Sequence, residues 1–593
     1  MRRILSVAFV LATSTLACGS SDDAGAPAGE LDSAIADAPV DSGADVVVID
    51  SSRPETSTPD AAVDSSFDAL APDADADADA DAEPDSIVPT KTPSGASGLI
   101  AGVTTDKGAA DPTAKLRALI GFPLRNESAL DAALDDLYDP ASASFRKYLT
   151  ADAFMTTYAP TPADVDKVKG WLTAQGFVVA RVSTNRLFLE ITGTVDQFDK
   201  AFVTTLHVLE RENPQVGNPP IDVYGVLGDL TVPKFVADRI VGVITADTPA
   251  DDSPLPGETG SVTTTPPAPI TDGFTPQNLA HAYGLDTLAT KGFTGGGVKL
   301  GLVIGATFKK LDVQSFWQSF GITRADPTIV VTMEPISTRY VEGTLDTAWS
   351  SSLAKDADVT VYEGPDSRNT SMIYTFNEAI GQAKVSVISD SFAHREDSEA
   401  APVAQAYDRA AKMAAALGIT VVAASGDSGN ADIPSVSPHV TAVGGTTLSF
   451  SSGGVPSDRA WSMSGSGDST GFLKPAWQGA LPIGTMRAVV DVSLNAGGAY
   501  WVYYLGDWKR YLGTSFASPV FAAGVVVMNG YRASKSLPPI GWLNPALYRT
   551  AAVQAAFRDV TAGGTADHAA GTGWDYPTGF GAPDFDAVVQ KLP

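Results

Sequence analysis

Residues 511–530 read YLGTSFASPVFAAGVVVMNG. A Gly-Thr-Ser, Gly513 to Ser515, precedes an Ala/Val-rich run with the composition of a buried helix. Such a turn holds a serine hydroxyl at the N-terminal end of a helix, where a nucleophile can be presented. A serine hydroxyl is a weak nucleophile and needs a base beside it. The rest of the chain must therefore supply that base, and the fold must carry it there.

Upstream, short runs rich in Val, Ile and Ala recur: VKLGLVIG, DPTIVVTM, ADVTVYEG, AKVSVISD and GITVVAASG. Runs of this kind read as the buried strands of a parallel sheet. Helical candidates fall between them at 311–319, 342–354, 371–381 and 401–416. The alternation predicts a doubly wound α/β domain over 271–593, with its ligands at the C-terminal ends of the strands.

Residues 97–245 read as a separate, mixed α+β unit. TPADVDKVKGWLTAQGF offers Thr161 as an N-cap and Val165, Val168 and Leu172 at helical spacing. FVVARVS and RLFLEITG read as two strands around a polar turn. TVDQFDKAFVTTLHVLE reads as a helix and a further strand, so helices on one face of an antiparallel sheet fit the order. Residues 246–270, ADTPADDSPLPGETGSVTTTPPAPI, are a linker or cleavage-prone loop.

The N-terminus, MRRILSVAFVLATSTLACGSS, is an export signal rather than a span. Its Cys18 is the only cysteine of the 593 residues, so no internal disulfide can form. Leu16-Ala17-Cys18 is similar to the lipid-attachment site of bacterial lipoproteins; an ordinary cleaved signal over 1–18 is the alternative. The formal net charge is −29, and residues 19–90 hold 19 Asp or Glu against one Arg. That stretch includes DADADADADAEPD, which repels itself and has no apolar face to bury. Residues 19–96 therefore read as an extended acidic tether. No basic cluster suggests nucleic acid as a partner.

The five histidines, His207, His281, His394, His439 and His568, were weighed first as the base. Only His394, in SFAHRED after a strand, is a candidate, and an exposed loop position accounts for it as well. Carboxylates answer better. In YVEGTLDTAWSSSL, Glu342 and Asp346 stand four apart, on one face of a helix. Two adjacent carboxylates do not both ionise easily; one proton is shared and one pKa rises. Such a pair can take the serine proton and works best in acid. In most helices, however, this spacing is only a solvated face.

Two further places carry chemistry. Asp427 follows a strand end in VVAASGDSGN; a protonated carboxyl there can donate to a developing oxyanion, or it can simply form an Asx-turn. Asp559 and Asp575 bracket a Gly-rich loop, where carboxylates and carbonyls suit calcium; plain Asp/Gly turns are the alternative.

In chain order, DPASASFRKYLTADAFMTTYAPTPADVDKVKGWLTAQGF, FTPQNLAHAYGLDTL, Glu342-x-x-x-Asp346, ASGDSG, SPHVTAVGGT, GTSFASP and GTGWDYPTGFG resemble the sedolisin family of serine-carboxyl peptidases. The likeness covers nearly all of 97–593. It implies a subtilisin-like sheet preceded by a ferredoxin-like activation prodomain of the kumamolisin type. It implies Ser515 as nucleophile, Glu342 as general base and then acid, Asp346 as its proton-sharing partner, and Asp427 at the oxyanion. It implies one structural calcium ion on the side chains of Asp559 and Asp575 and the carbonyls of Val560, Gly571 and Gly573. Polypeptides would be the substrates and the prodomain an intramolecular inhibitor, cut near 246–270. The expected product is a monomeric, exported, acid-acting endopeptidase, touching a membrane only through a lipid at Cys18. A tripeptidyl peptidase, a catalytically silent surface lipoprotein and a His394-based enzyme are the alternatives. The sequence departs from the family pattern at SDSFAHRED, where Asp390 and Ala393 are expected to alter a wall of the substrate groove, and at SMSGSGDSTGF.

Overall fold

A computed structural model describes residues 87–88, 103–211, 220–227, 230–245, 273–334, 340–399 and 401–593. The expected signal, Cys18, the acidic tether and the 246–270 linker lie outside the described residues, apart from the two-residue strand Ile87–Val88.

The first unit is a four-stranded antiparallel sheet in the order Val178–Val182, Phe188–Thr194, Lys115–Gly121, Gly242–Thr245. Helices Pro162–Ala174 and Val195–Phe202 join its strands, giving the βαββαβ order of a ferredoxin-like unit. The anticipated N-cap is present: the Thr161 side chain accepts from Asp164 N. Val165, Val168 and Leu172 are buried on the inner face of that helix. Thr194 and Gln197 form a reciprocal capping box at the next helix. A three-stranded sheet, Val103–Ala109, Leu206–Arg211 and Ile221–Val226, is added alongside.

The second unit is built on an eight-stranded sheet. Its strands are β1 (Lys299–Ile304), β2 (Thr328–Val331), β3 (Asp358–Glu363), β4 (Val387–Asp390), β5 (Thr420–Ala424), β6 (Thr441–Phe450), β7 (Pro456–Ala460) and β8 (Val492–Asn495). The order is β2-β3-β1-β4-β5-β6-β7, with β8 also paired to β6. Only β7 runs antiparallel. β1, β4 and β5 are buried along nearly their whole length, as their apolar runs require. DPTIVVTM differs from expectation. β2 is the sheet edge, with no strand pairing its outer side among the described residues, and Ile329 and Val331 are 36% and 43% exposed.

The helices are α1 (Tyr340–Leu353), α2 (Asn369–Gly381), α3 (Ala401–Ala416) and α4 (Thr514–Ser534). The strand order reverses between β1 and β4, the crevice where doubly wound sheets place ligands. The first unit docks on α2 and α3. Thr184 N and Oγ1 donate to Glu378 at 2.6 and 2.8 Å. Asn185 and Asn377 bond reciprocally at 2.8 Å. Lys412 reaches Glu127 and Asp131 at 2.7 and 2.8 Å. Buried Tyr138 donates to Ala415 O at 2.7 Å and accepts from Trp542 N at 2.8 Å. Leu130, Leu134 and Leu137 join the same apolar core as the eight-stranded sheet.

Candidate active site

Ser515 is the second residue of α4. Gly513, just before it, has φ 142° and ψ 158°, a conformation that suits glycine. A side chain there would also stand 2.7 Å from Asp427 Oδ2. Thr514 and Phe516 are buried while Ser515 is partly exposed, so the turn presents one hydroxyl and anchors its neighbours.

Asp346 lies on the buried side of α1, 1% exposed, and Glu342, one turn earlier, is partly exposed. Burial first, and the charge of Glu342 second, push the Asp346 carboxyl well above the usual range. The i, i+4 spacing is thus a facing pair rather than a solvated face. Ser391, the first residue after β4, donates to Asp346 Oδ1 at 2.7 Å and lies 3.3 Å from the carbonyl of Ser515. One hydroxyl therefore ties the carboxylate helix to the Ser515 turn. Ser391 appeared in the sequence only inside a departure from a family pattern; its position at the C-terminal end of a central strand was the available signal.

Asp427 stands after β5, where Thr514 N and Thr514 Oγ1 both donate to its Oδ1 at 2.7 Å. Thr514 Oγ1 accepts in turn from Gly426 N at 3.2 Å. Asp427 is exposed as a residue, yet enclosure of its carboxyl raises its pKa. Its Oδ2 lies on the Gly513 side. Asp432, buried behind the same loop, is pushed well up by burial and by the charge of Asp427.

Histidine does not enter this arrangement. His394 lies 3.0 Å from the Ser367 carbonyl, with Glu399 at 3.9 Å. His439 pairs with Asp408 at 2.8 Å and His281 with Asp286 at 2.9 Å. His207 lies 2.9 Å from Asp106 in the prodomain, and His568 stacks on Tyr576. Asp390 also departs from expectation: it is 0% exposed, so it forms no wall of an open groove. As the last residue of β4 it is turned into the protein, while Ala393 is partly exposed.

At the C-terminal loop, Asp559 Oδ2 accepts from Gly573 N at 3.0 Å and Asp575 Oδ2 from Gly571 N at 2.7 Å. Burial raises the pKa of Asp575, and the Asp559 charge adds to the shift. Two carboxylates are thus brought together by a glycine loop. Among the described residues no group of three or more His, Cys, Asp or Glu forms a metal cluster. A cation here would need backbone carbonyls to complete its shell. The set the resemblance implies, two carboxylates with the carbonyls of Val560, Gly571 and Gly573, would offer only hard oxygens, the kind of ligand calcium takes.

Residues 103–248 match the pro-kumamolisin activation domain, and residues 340–581 match the subtilase family. This is a sedolisin-like serine-type peptidase carrying its activation domain. The sedolisin-like chain is 28% identical to kumamolisin of Bacillus sp. (strain MN-32), across 75% of this chain and 86% of that protein. It is 27% identical to sedolisin of Pseudomonas sp. (strain 101), across 79% and 85%. It is also 27% identical to tripeptidyl-peptidase 1 of Bos taurus, across 82% and 93%. A solved structure of the Pseudomonas sedolisin, complexed with two molecules of pseudo-iodotyrostatin, covers 54% of the chain at 27% identity and a TM-score of 0.48.

Proposed function

We propose that this sedolisin-like chain is an exported, acid-acting serine-carboxyl endopeptidase made as a self-processing zymogen. The observation that carries the reading is the Ser391 hydroxyl, bonded to Asp346 and beside the Ser515 carbonyl. It joins the shared-proton pair to the nucleophile without a histidine. Glu342 takes the Ser515 proton as Oγ attacks the peptide carbonyl, then returns it to the leaving amine, leaving an acyl-enzyme. Water, activated by Glu342, releases the acyl group. Asp346 holds the shared proton, and Asp427, as the acid, donates to the oxyanion.

The pair works while it holds one proton, which places activity in acid. The prodomain, fastened to α2 and α3, acts as the intramolecular inhibitor until 246–270 is cut. A structural calcium ion would be held by the side chains of Asp559 and Asp575 and the carbonyls of Val560, Gly571 and Gly573. Export rests on the N-terminal signal, and a lipid at Cys18 would tether the precursor. Among the described residues no helix is long and apolar enough to cross a membrane.

The test is cleavage of denatured casein across a pH series after preincubation at about pH 4, beside Ser515→Ala and Glu342→Ala. Activity confined to acid and lost in both variants is expected. No activity at any pH after prodomain removal overturns the reading in favour of a silent binding protein. The likeness to tripeptidyl-peptidase 1 supports a second reading, exopeptidase action. N-acetylated and free-amine peptides of one sequence separate the two: an endopeptidase cleaves both.

A further inference from the structure

The two stretches that depart from the family pattern, SDSFAHRED and SMSGSGDSTGF, are joined in the fold by one side chain. Glu396, in the first, is 5% exposed. Its Oε1 accepts from Ser469 Oγ at 2.7 Å and from Gly471 N at 3.2 Å, and its Oε2 from Thr470 N at 2.7 Å. All three donors lie in the second stretch. There the strand Gly467–Leu473 pairs with Met486–Val489, and the register shifts between Asp468 and Leu473. Residues 469–472 bulge out of that ladder, so their N–H groups need other partners. Glu396 takes two of them, and Ser469 Oγ accepts from Gly471 N at 3.2 Å and Phe472 N at 3.0 Å. Thr470 and Gly471 are exposed as residues, so water could serve the same groups. A buried carboxylate instead fixes the bulge in one place, through charge-assisted bonds.

The place so fixed adjoins the candidate site. The Glu396 segment leaves the C-terminal end of β4 and begins with Ser391; the Asp427 loop leaves the same end of β5. Doubly wound sheets bind ligands on that side. His394–Arg395 pairs with Asp432–Ile433 and sews the two segments together, and Glu396 N donates to Ala431 O at 3.3 Å. The second stretch meets the Asp427 loop separately, where Gly429 N donates to Met463 O at 3.1 Å and Gly465 N to Gly426 O at 2.8 Å. The Glu396 carboxylate closes this ring of three segments. We propose that Glu396 is a positioning residue that determines specificity, holding the 469–472 bulge as one wall of the groove for extended peptides. This rests on the serine-carboxyl reading above. Glu396 touches no reacting atom; it acts through the bulge. A wall already in place spares each substrate the cost of ordering it, and a loose wall returns that cost to KM.

The test compares two substrates on acid-converted full-length protein: a fluorogenic octapeptide, which spans the groove, and a small 4-nitrophenyl ester, which does not reach the wall. In Glu396→Ala the octapeptide KM is expected to rise by about tenfold to a hundredfold, with a smaller change in kcat. The ratio of kcat/KM for octapeptide over ester should fall with it. Glu396→Gln keeps one acceptor oxygen and sets an amide against the remaining donor, so its loss should be intermediate. An equal fall on both substrates marks a purely structural role and overturns the proposal, as does an unchanged octapeptide KM. Should Glu396→Ala fail to yield converted enzyme, Ser469→Ala reads the same tie, since it removes one of the three donors. A rise in octapeptide KM is again expected, and no rise overturns the proposal. Wild type inactive on both substrates at any pH would instead defeat the serine-carboxyl reading, and this inference with it.

Discussion

Pro519 stands four residues after Ser515 inside α4. A proline has no N–H, so the Ser515 carbonyl lacks its usual donor one turn ahead. The hydroxyl of Ser391 lies 3.3 Å from that carbonyl and 2.7 Å from Asp346 Oδ1. The proline in GTSFASP thus opens an acceptor that the carboxylate network can use.

Ser391→Ala should therefore lower kcat more than it raises KM, by about tenfold to a hundredfold, in the range of a lost transition-state hydrogen bond. Steady-state kinetics at the acid optimum check this. A change confined to KM would assign Ser391 to substrate binding instead.

Ser515→Ala and Glu342→Ala should each abolish turnover, by at least about a thousandfold. Their combination should cost no more than either alone, because groups acting as one unit are not additive. Casein hydrolysis by the two single variants and the double variant measures it.

Asp427→Ala should cost about a hundredfold to a thousandfold in kcat, as for a lost oxyanion donor. It also removes the acceptor for Thr514 N and Oγ1. Thr514→Ser keeps both bonds and should retain activity.

Glu363, at the end of β3, is raised from 4.5 to about 7 by burial. The folded pKa lies above the unfolded one. Its contribution to stability is therefore fully present below about pH 4.5 and is lost as pH rises through about 7, a change of roughly 3 kcal/mol. Glu363→Gln should flatten that part of the curve of Tm against pH. A wild-type Tm that rises steadily from pH 4 to pH 7 would contradict it.

Chelation should lower the Tm of the processed enzyme, and added calcium should restore it by mass action. Asp575→Ala should remove the calcium response. A Tm indifferent to both treatments would leave Asp559 and Asp575 as turn acceptors, the role their bonds to Gly573 N and Gly571 N already fill.

Much was legible in the chain. The strand runs, the helix spans and the Thr161 cap follow from periodicity and spacing, which act between near neighbours, whereas the spacing of Glu342 and Asp346 alone left a solvated face open. The edge position of β2 was not legible, because an apolar run reads alike whether one neighbour or two cover it. Ser391 as a bridge was not legible either, since it joins residues 45 and 124 positions away.

Sequence by itself determined the alternating strands and helices, the serine turn and the four-residue spacing of Glu342 and Asp346. These depend on backbone preferences and on hydrophobic period, both local properties. Tertiary structure alone decided which groups meet. It set Ser391 between Asp346 and Ser515, held Asp427 on Thr514, and buried Asp390 where the sequence suggested a groove wall. Burial and the charges of neighbours set the protonation of a carboxyl, and neither exists until the strands are ordered side by side.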